Sequence, residues 1–163
     1  MINKGTKVPL TTKIPNTSLT LSDLFKDNNY LVLYFYPADG TPTCTTQACA
    51  FRDYTDALEH DFGVRVIGVS KDSLKSHEKF KNKHKLGFDL ISDADLQLHN
   101  IFGTWGEKSL FGRKYMGTLR TTFLINKKGE IIEIWGTEEN PVKAKEQGKD
   151  VYEYLKQKLE VRS

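Results

Sequence analysis

Leu31-Val-Leu-Tyr-Phe-Tyr36 is an almost unbroken apolar and aromatic run closed by Pro37. A run without polar alternation fits a strand buried on both faces, in the middle of a sheet. Val64–Val69 repeats the signal. Between the two, after a loop over Pro37–Thr43, no breaker interrupts the chain from Cys44 to Gly63. Ala48, Phe51, Tyr54, Ala57 and Leu58 recur there near the helical period. The spacing predicts a helix with Cys44 in its first turn. A further helix is predicted over Leu74–His84, capped from Ser70 with Asp72 or Ser73 and packing through Leu74, His77 or Glu78, and Phe80. Two strand-to-helix units in succession point to βαβ topology.

Residues 1–20 are polar and rich in Thr, with Pro9 and Pro15, and read as an irregular segment wrapped on the domain. Thr20 or Ser22 can cap a short turn over Leu21–Phe25. Phe88–Ile91 is a short strand candidate, and Ser92 reads as the N-cap of a helix over Asp93–Phe102. Gly103–Gly117, with Gly106, Gly112, Trp105 and Lys108, reads as a long loop with a turn at its far end. Arg120–Ile125 and Ile131–Trp135 flank a turn at Asn126–Gly129, which is a hairpin pattern. Val142–Val161 carries Val151, Tyr154 or Leu155, and Leu159 on one stripe, an amphipathic C-terminal helix. No repeat, low-complexity tract or linker divides the chain, so residues 1–163 are expected to form one domain without an obviously exposed apolar strand.

Composition narrows the function classes. With 38% hydrophobic and 28% charged residues, the chain fits a folded globule and not a disordered one. The formal charge is +3 and the basic residues are scattered, which argues against a nucleic-acid partner. The densest basic stretch, Lys81–Lys85, reads as a solvated helix end. The N-terminus turns polar at once and the longest apolar stretch, Tyr30–Tyr36, has strand length, so no membrane segment is expected. Two cysteines are too few for a secreted disulfide scaffold, and a cytoplasmic location follows.

Both cysteines fall within one short segment. A helix N-terminus favours a thiolate through its unpaired N–H groups and the positive end of its dipole, and Pro42, Thr43 and Cys44 occupy such an end. Gly40 permits a turn that a Cβ would obstruct, Pro42 stiffens the approach, and Thr41 and Thr43 offer hydroxyls. The competing reading is a buried, inert thiol. On an ideal helix Cys49 would lie about 8.7 Å from Cys44, Cα to Cα. A disulfide usually needs less than about 7 Å. Either the helix unwinds on oxidation or the two never pair. No metal site is expected, because zinc wants about four ligands and His60, His77, His84 and His99 form no ligand-like run. A Cys-His dyad is conceivable in three dimensions, although each histidine lies on or beside a predicted helix. A Cys-x-x-Cys centre is absent, and the glycines match no nucleotide fingerprint, so no cofactor is expected.

Phe35-Tyr-Pro-Ala-Asp-Gly-Thr-Pro-Thr-Cys-Thr-Thr-Gln-Ala-Cys-Ala-Phe-Arg52 resembles the active-site segment of the peroxiredoxins, most closely the bacterioferritin comigratory protein or peroxiredoxin Q group. The Pro-x3-Thr-x2-Cys motif falls on Pro37, Thr41 and Cys44, and the Arg-Ser/Thr-Thr-Phe strand on Arg120–Phe123. Trp105–Lys108 and Gly112–Arg120 are also similar to the family's loop ahead of that strand. The resemblance implies a thioredoxin-like α/β fold, a central mixed β-sheet flanked by helices on both faces. It implies a thiol-dependent peroxidase acting on hydrogen peroxide and organic hydroperoxides, with Cys44 attacking and Cys49 resolving it as an intramolecular disulfide. Arg120 supplies the fixed cation, the Thr41 hydroxyl a contact to the substrate oxygen, and Pro37 a shield from water. Thioredoxin or a similar dithiol would recycle a monomeric enzyme, with Trp105 and Phe111 shaping the pocket. The competing readings are a general thiol-disulfide oxidoreductase, disfavoured by the missing Cys-x-x-Cys, and a redox-sensing interaction protein on the same fold.

Overall fold

A computed structural model describes residues 1–160. The apolar runs become the centre of a five-stranded mixed sheet: β1 (Tyr30–Phe35), β2 (Val64–Ser70) and β3 (Asp89–Ser92) are parallel, and β6 (Thr121–Asn126) and β7 (Ile131–Trp135) are antiparallel. The spatial order is β3-β2-β1-β6-β7. β1 is central and almost wholly buried, which is why its sequence lacks polar alternation.

Alternation along β1 divides the core in two. Leu31, Leu33 and Phe35 join one cluster with Leu21, Leu24, Leu98 and Phe102, whereas Val32, Tyr34 and Tyr36 join another with Ala48, Phe51, Leu58, Phe80, Val151 and Leu155. Helices α1 (Leu21–Leu24) and α4 (Gln97–Phe102) therefore cover one face. Helices α2 (Pro42–Phe62), α3 (Leu74–His84) and α5 (Gln147–Glu160) cover the other. This is the expected helix-flanked mixed sheet. Thr20 caps α1 with a reciprocal Asp23 contact, and Gly63 closes α2 in the left-handed region at φ 67°.

Several expectations need correction. Helix α4 begins at Gln97 instead of Asp93, and Ser92 does not cap it: the Asp93 carboxylate accepts from the N–H groups of Leu98 (3.1 Å) and His99 (2.8 Å). Leu96, left-handed at φ 62°, turns the chain so that Asp93 can reach them. The expected loop over Gly103–Gly117 is a separate two-stranded hairpin, β4 (Trp105–Leu110) and β5 (Arg113–Thr118), joined by Phe111-Gly112 at φ 51° and 79°. Positive φ at both turn residues matches the twist of a tight hairpin. That hairpin leaves Leu110, Phe111, Tyr115 and Met116 exposed, so apolar strand residues do face solvent. Leu74 is exposed as well, and α3 packs through His77 and Phe80. The C-terminal helix begins at Gln147 instead of Val142, after a 3-10 turn over Ala144–Glu146; its stripe holds at Val151 and Leu155, while Val161 lies outside the described residues.

Candidate active site

Register places the reactive groups together. β1 and β6 run antiparallel with Phe35 opposite Thr121, so Arg120 stands just beyond the C-terminal end of β1. The chain leaving β1 passes through Pro37 and enters α2 with Thr41 as N-cap and Pro42 as the first helical residue, which puts Cys44 in the first turn. Gly40 is left-handed at φ 78°, but a Cβ there would meet nothing within 4 Å. Its requirement is conformational, not the obstruction anticipated from the sequence.

Asp39 pins this loop. Its carboxylate accepts from the Tyr36 hydroxyl (2.6 Å) and Ser76 Oγ (2.8 Å) and faces His77 Nδ1 (2.7 Å). Its N–H donates to Asp72 (2.8 Å), and His77 Nε2 faces the Ile91 carbonyl (3.0 Å). Burial opposes the Asp39 charge, yet the contacts from His77, Tyr36 and Ser76 outweigh it and hold the carboxyl below the usual carboxylate range. Burial, with Tyr34 and Asp39 nearby, pushes the Tyr36 hydroxyl up. Among the described residues Asp39, Asp72 and His77 bring possible ligand atoms within 4.8 Å of one another. These atoms already serve the hydrogen bonds of the loop anchor.

At the centre, Arg120 Nη2 donates to Cys44 Sγ at 3.2 Å while Nη1 donates to Gln47 Oε1 at 2.6 Å. Cys44 is 1% exposed, so this contact acts on a desolvated sulfur, where Coulombic attraction is strong. Cys49 lies on the same helix, half-buried, and both thiols are free. Pro37 is half-buried. Thr41 is exposed, its hydroxyl donating to the Ala38 carbonyl at 3.1 Å. Its proton therefore serves the loop, leaving its oxygen free to accept. Lys108 reaches back from the hairpin to the Thr118 carbonyl (3.0 Å). Burial and the nearby Arg120 lower its pKa, and Cys44 opposes them.

Gln47 and Thr122 lie in the motif segments, but the sequence assigns no role to them or to Gln147; all three are fully buried beside Arg120 and linked to it. Gln47 was detectable in principle: it follows Cys44 by three on a helix and so shares its face. Gln147 lies a hundred residues from Gln47 and carried no such signal. Trp105 and Phe111 do not meet across the site. Trp105 packs edge-on to His99 at 6.0 Å, with Lys71 over its ring at 4.8 Å, and Phe111 is 97% exposed at the hairpin tip. His77 and His99 are buried against Asp39 and Asp93.

A thiol at a helix start, gripped by a guanidinium and followed by a second thiol, can carry out nucleophilic sulfur chemistry and store the product as a disulfide. The AhpC/TSA family model matches residues 5–134. Peroxiredoxin Bcp of Bacillus subtilis is 49% identical over 106 residues, 65% of this chain and 67% of the relative. A crystal structure of a Xylella fastidiosa PrxQ mutant superposes with a TM-score of 0.84 at 34% identity over 98% of each chain. A Xanthomonas campestris bacterioferritin comigratory protein, solved as a trapped intermediate/ligand complex bearing on its alkyl peroxide reduction activity, gives 0.70 at 35% identity over 79% of each chain. The Cys44 helix start, the Arg120 strand and the sheet that brings them together all fall within the matched span, and the chain belongs to the AhpC/TSA family, beside the Bcp peroxiredoxins.

Proposed function

We propose that this protein is a thiol peroxidase that reduces hydrogen peroxide and organic hydroperoxides. The observation that carries the reading is the Arg120 Nη2 contact on Cys44 Sγ at 3.2 Å, at the first turn of α2. The Cys44 thiolate attacks the terminal oxygen, the S–O bond forms as the O–O bond breaks, and a proton completes the leaving water or alcohol. Charge grows on the leaving oxygen as it goes. Arg120, already aimed at the sulfur, is the donor placed to meet both oxygens. Thr41 contributes by turning its hydroxyl from the Ala38 carbonyl to the substrate oxygen, and Pro37 keeps bulk water off the sulfur.

Cys44 is then a sulfenic acid. The first turns of α2 unwind, Cys49 attacks the sulfenic sulfur, water leaves and an intramolecular disulfide results. A dithiol protein such as thioredoxin reduces it, so the reaction belongs in a reducing compartment of the kind the cytoplasm provides. Among the described residues no helix is long and apolar enough to cross a membrane.

Two measurements test this reading. Peroxide consumption coupled to thioredoxin should vanish in Cys44→Ser, and activity surviving that change would end the proposal. Mass spectrometry after one equivalent of peroxide should show loss of two hydrogens in the native chain and a persistent added oxygen in Cys49→Ser. Unchanged thioredoxin-coupled turnover in Cys49→Ser would remove the resolving role while leaving the peroxidase.

A further inference from the structure

A guanidinium has five donors and no acceptor. Gln47 can serve Arg120 only by turning its Oε1 toward it, which sends its Nε2 the other way, to Gln147 Oε1 at 3.2 Å. That same Gln147 oxygen accepts from Thr122 Oγ1 at 2.7 Å. Gln147 is therefore fixed from two sides with its acceptor inward, and its own Nε2 is buried without a partner among the described residues. Flipping the Gln147 amide would set two NH₂ groups against each other. A buried donor left unpaired is unfavourable, and an apolar side chain at this position would avoid it. The fold keeps the amide, and what the amide supplies is an acceptor for Gln47.

The backbone is arranged to bring it there. Gly148, the next residue of α5, lies so close to α2 that a Cβ would overlap the Ala50 carbonyl oxygen. That approach lets the start of α5 reach Gln47. Gln147 lies outside residues 5–134, the span matched by the family model.

We infer that Gln147 is a positioning residue for the peroxidase reaction: held by Thr122, it orients Gln47, which orients Arg120 toward the Cys44 sulfur. The inference rests on the peroxidase reading. Unwinding of the first turns of α2 would carry Gln47 away and dissolve the whole chain of contacts, so the guanidinium is aligned only while the helix is formed.

The test uses the full chain carrying Cys49→Ser, which leaves one thiol. Two second-order rate constants are measured on reduced protein, for hydrogen peroxide and for alkylation by iodoacetamide. Peroxide cleavage needs an oriented guanidinium. Alkylation is buffered, because a smaller thiolate fraction is partly offset by greater nucleophilicity. Gln147→Met should slow the peroxide reaction about five- to tenfold and change alkylation by less than about twofold. Gln147→Glu keeps a side-chain oxygen that accepts from Gln47 and Thr122 and should restore the peroxide rate to within about twofold. Thr122→Val should slow it about two- to threefold without opening a cavity.

An unchanged peroxide rate in Gln147→Met, equal changes in both rates, or a Glu variant no faster than the Met variant would each overturn the inference. Should the Met variant fail to fold, an unchanged peroxide rate in Thr122→Val overturns it. A wild-type chain that consumes no peroxide through Cys44 fails the peroxidase reading itself. An active wild type with insensitive variants fails only the role of Gln147.

Discussion

Besides the small apolar area of Cys44 and Ala48, the first two turns of α2 meet the rest of the protein through directional polar contacts, Cys44 to Arg120, Gln47 to Arg120 and Gln47 to Gln147. From Phe51 to Leu58 the same helix meets it through apolar area, with the Phe51 ring 4.7 Å from Tyr34. The difference suits a helix that must come apart at one end and stay at the other. Hydrogen bonds can be exchanged one at a time, at about 1 kcal/mol each in net terms. Buried aromatic area cannot be exchanged for water without a much larger cost.

Truncating the apolar half should have the largest effect on stability and little on chemistry. Phe51→Ala removes a ring with no exposed surface and should cost about 3–5 kcal/mol in urea unfolding. Below its unfolding transition, the peroxide rate should stay within about threefold of wild type. Arg120→Met should do the reverse, slowing the peroxide reaction about 10²- to 10³-fold, as removal of one preorganised donor does elsewhere. Comparable rate losses in the two variants would mean that the halves of α2 are not separable.

How much of this division could be read from the sequence depended on how the information is written. β1 and β2 were legible because burial on both faces demands a continuous apolar run, and Cys44 was legible as a first-turn residue because Pro42 cannot sit deeper in a helix. The β4–β5 hairpin was not, since a two-stranded ribbon apart from the main sheet has no fully buried face to impose alternation; only Phe111-Gly112 marked its turn. The start of α4 was misplaced because its capping carboxylate, Asp93, lies five and six residues before the N–H groups it serves. Side-chain contacts between distant residues, such as Gln47 with Gln147, have no local signature at all.

A middle-sized effect probes how the loop before α2 is held. Asp39 and Asp93 both keep their carboxyls below the usual range, against the opposing influence of burial. An unfolded aspartate takes up its proton near pH 3.9, and the folded ones do so only at lower pH. Their stabilisation is therefore fully present above about pH 4 and is lost as pH falls through the folded values. Asp39→Asn should cost about 1–3 kcal/mol at neutral pH, where it leaves His77 and its neighbours imperfectly paired. Thermal melts should show its deficit shrinking toward acid pH, and a deficit constant from pH 6 to 2.5 would separate Asp39 from the acid response.

The smallest expected effect concerns the hairpin, which neither half of α2 uses for its packing. Lys108 extends its side chain back to the Thr118 carbonyl at the base, near Arg120, but Phe111 at the tip is 97% exposed and carries no buried contact to lose. Phe111→Ser should change stability by less than about 0.5 kcal/mol. Rates with hydrogen peroxide and with a bulky aromatic hydroperoxide should each stay within about twofold of wild type, since a ring 97% exposed packs against no part of the site. A loss confined to the bulky substrate would show the hairpin folding over the first turns of α2 in solution. Their polar contacts would then be covered by an apolar surface that the reduced fold leaves to solvent.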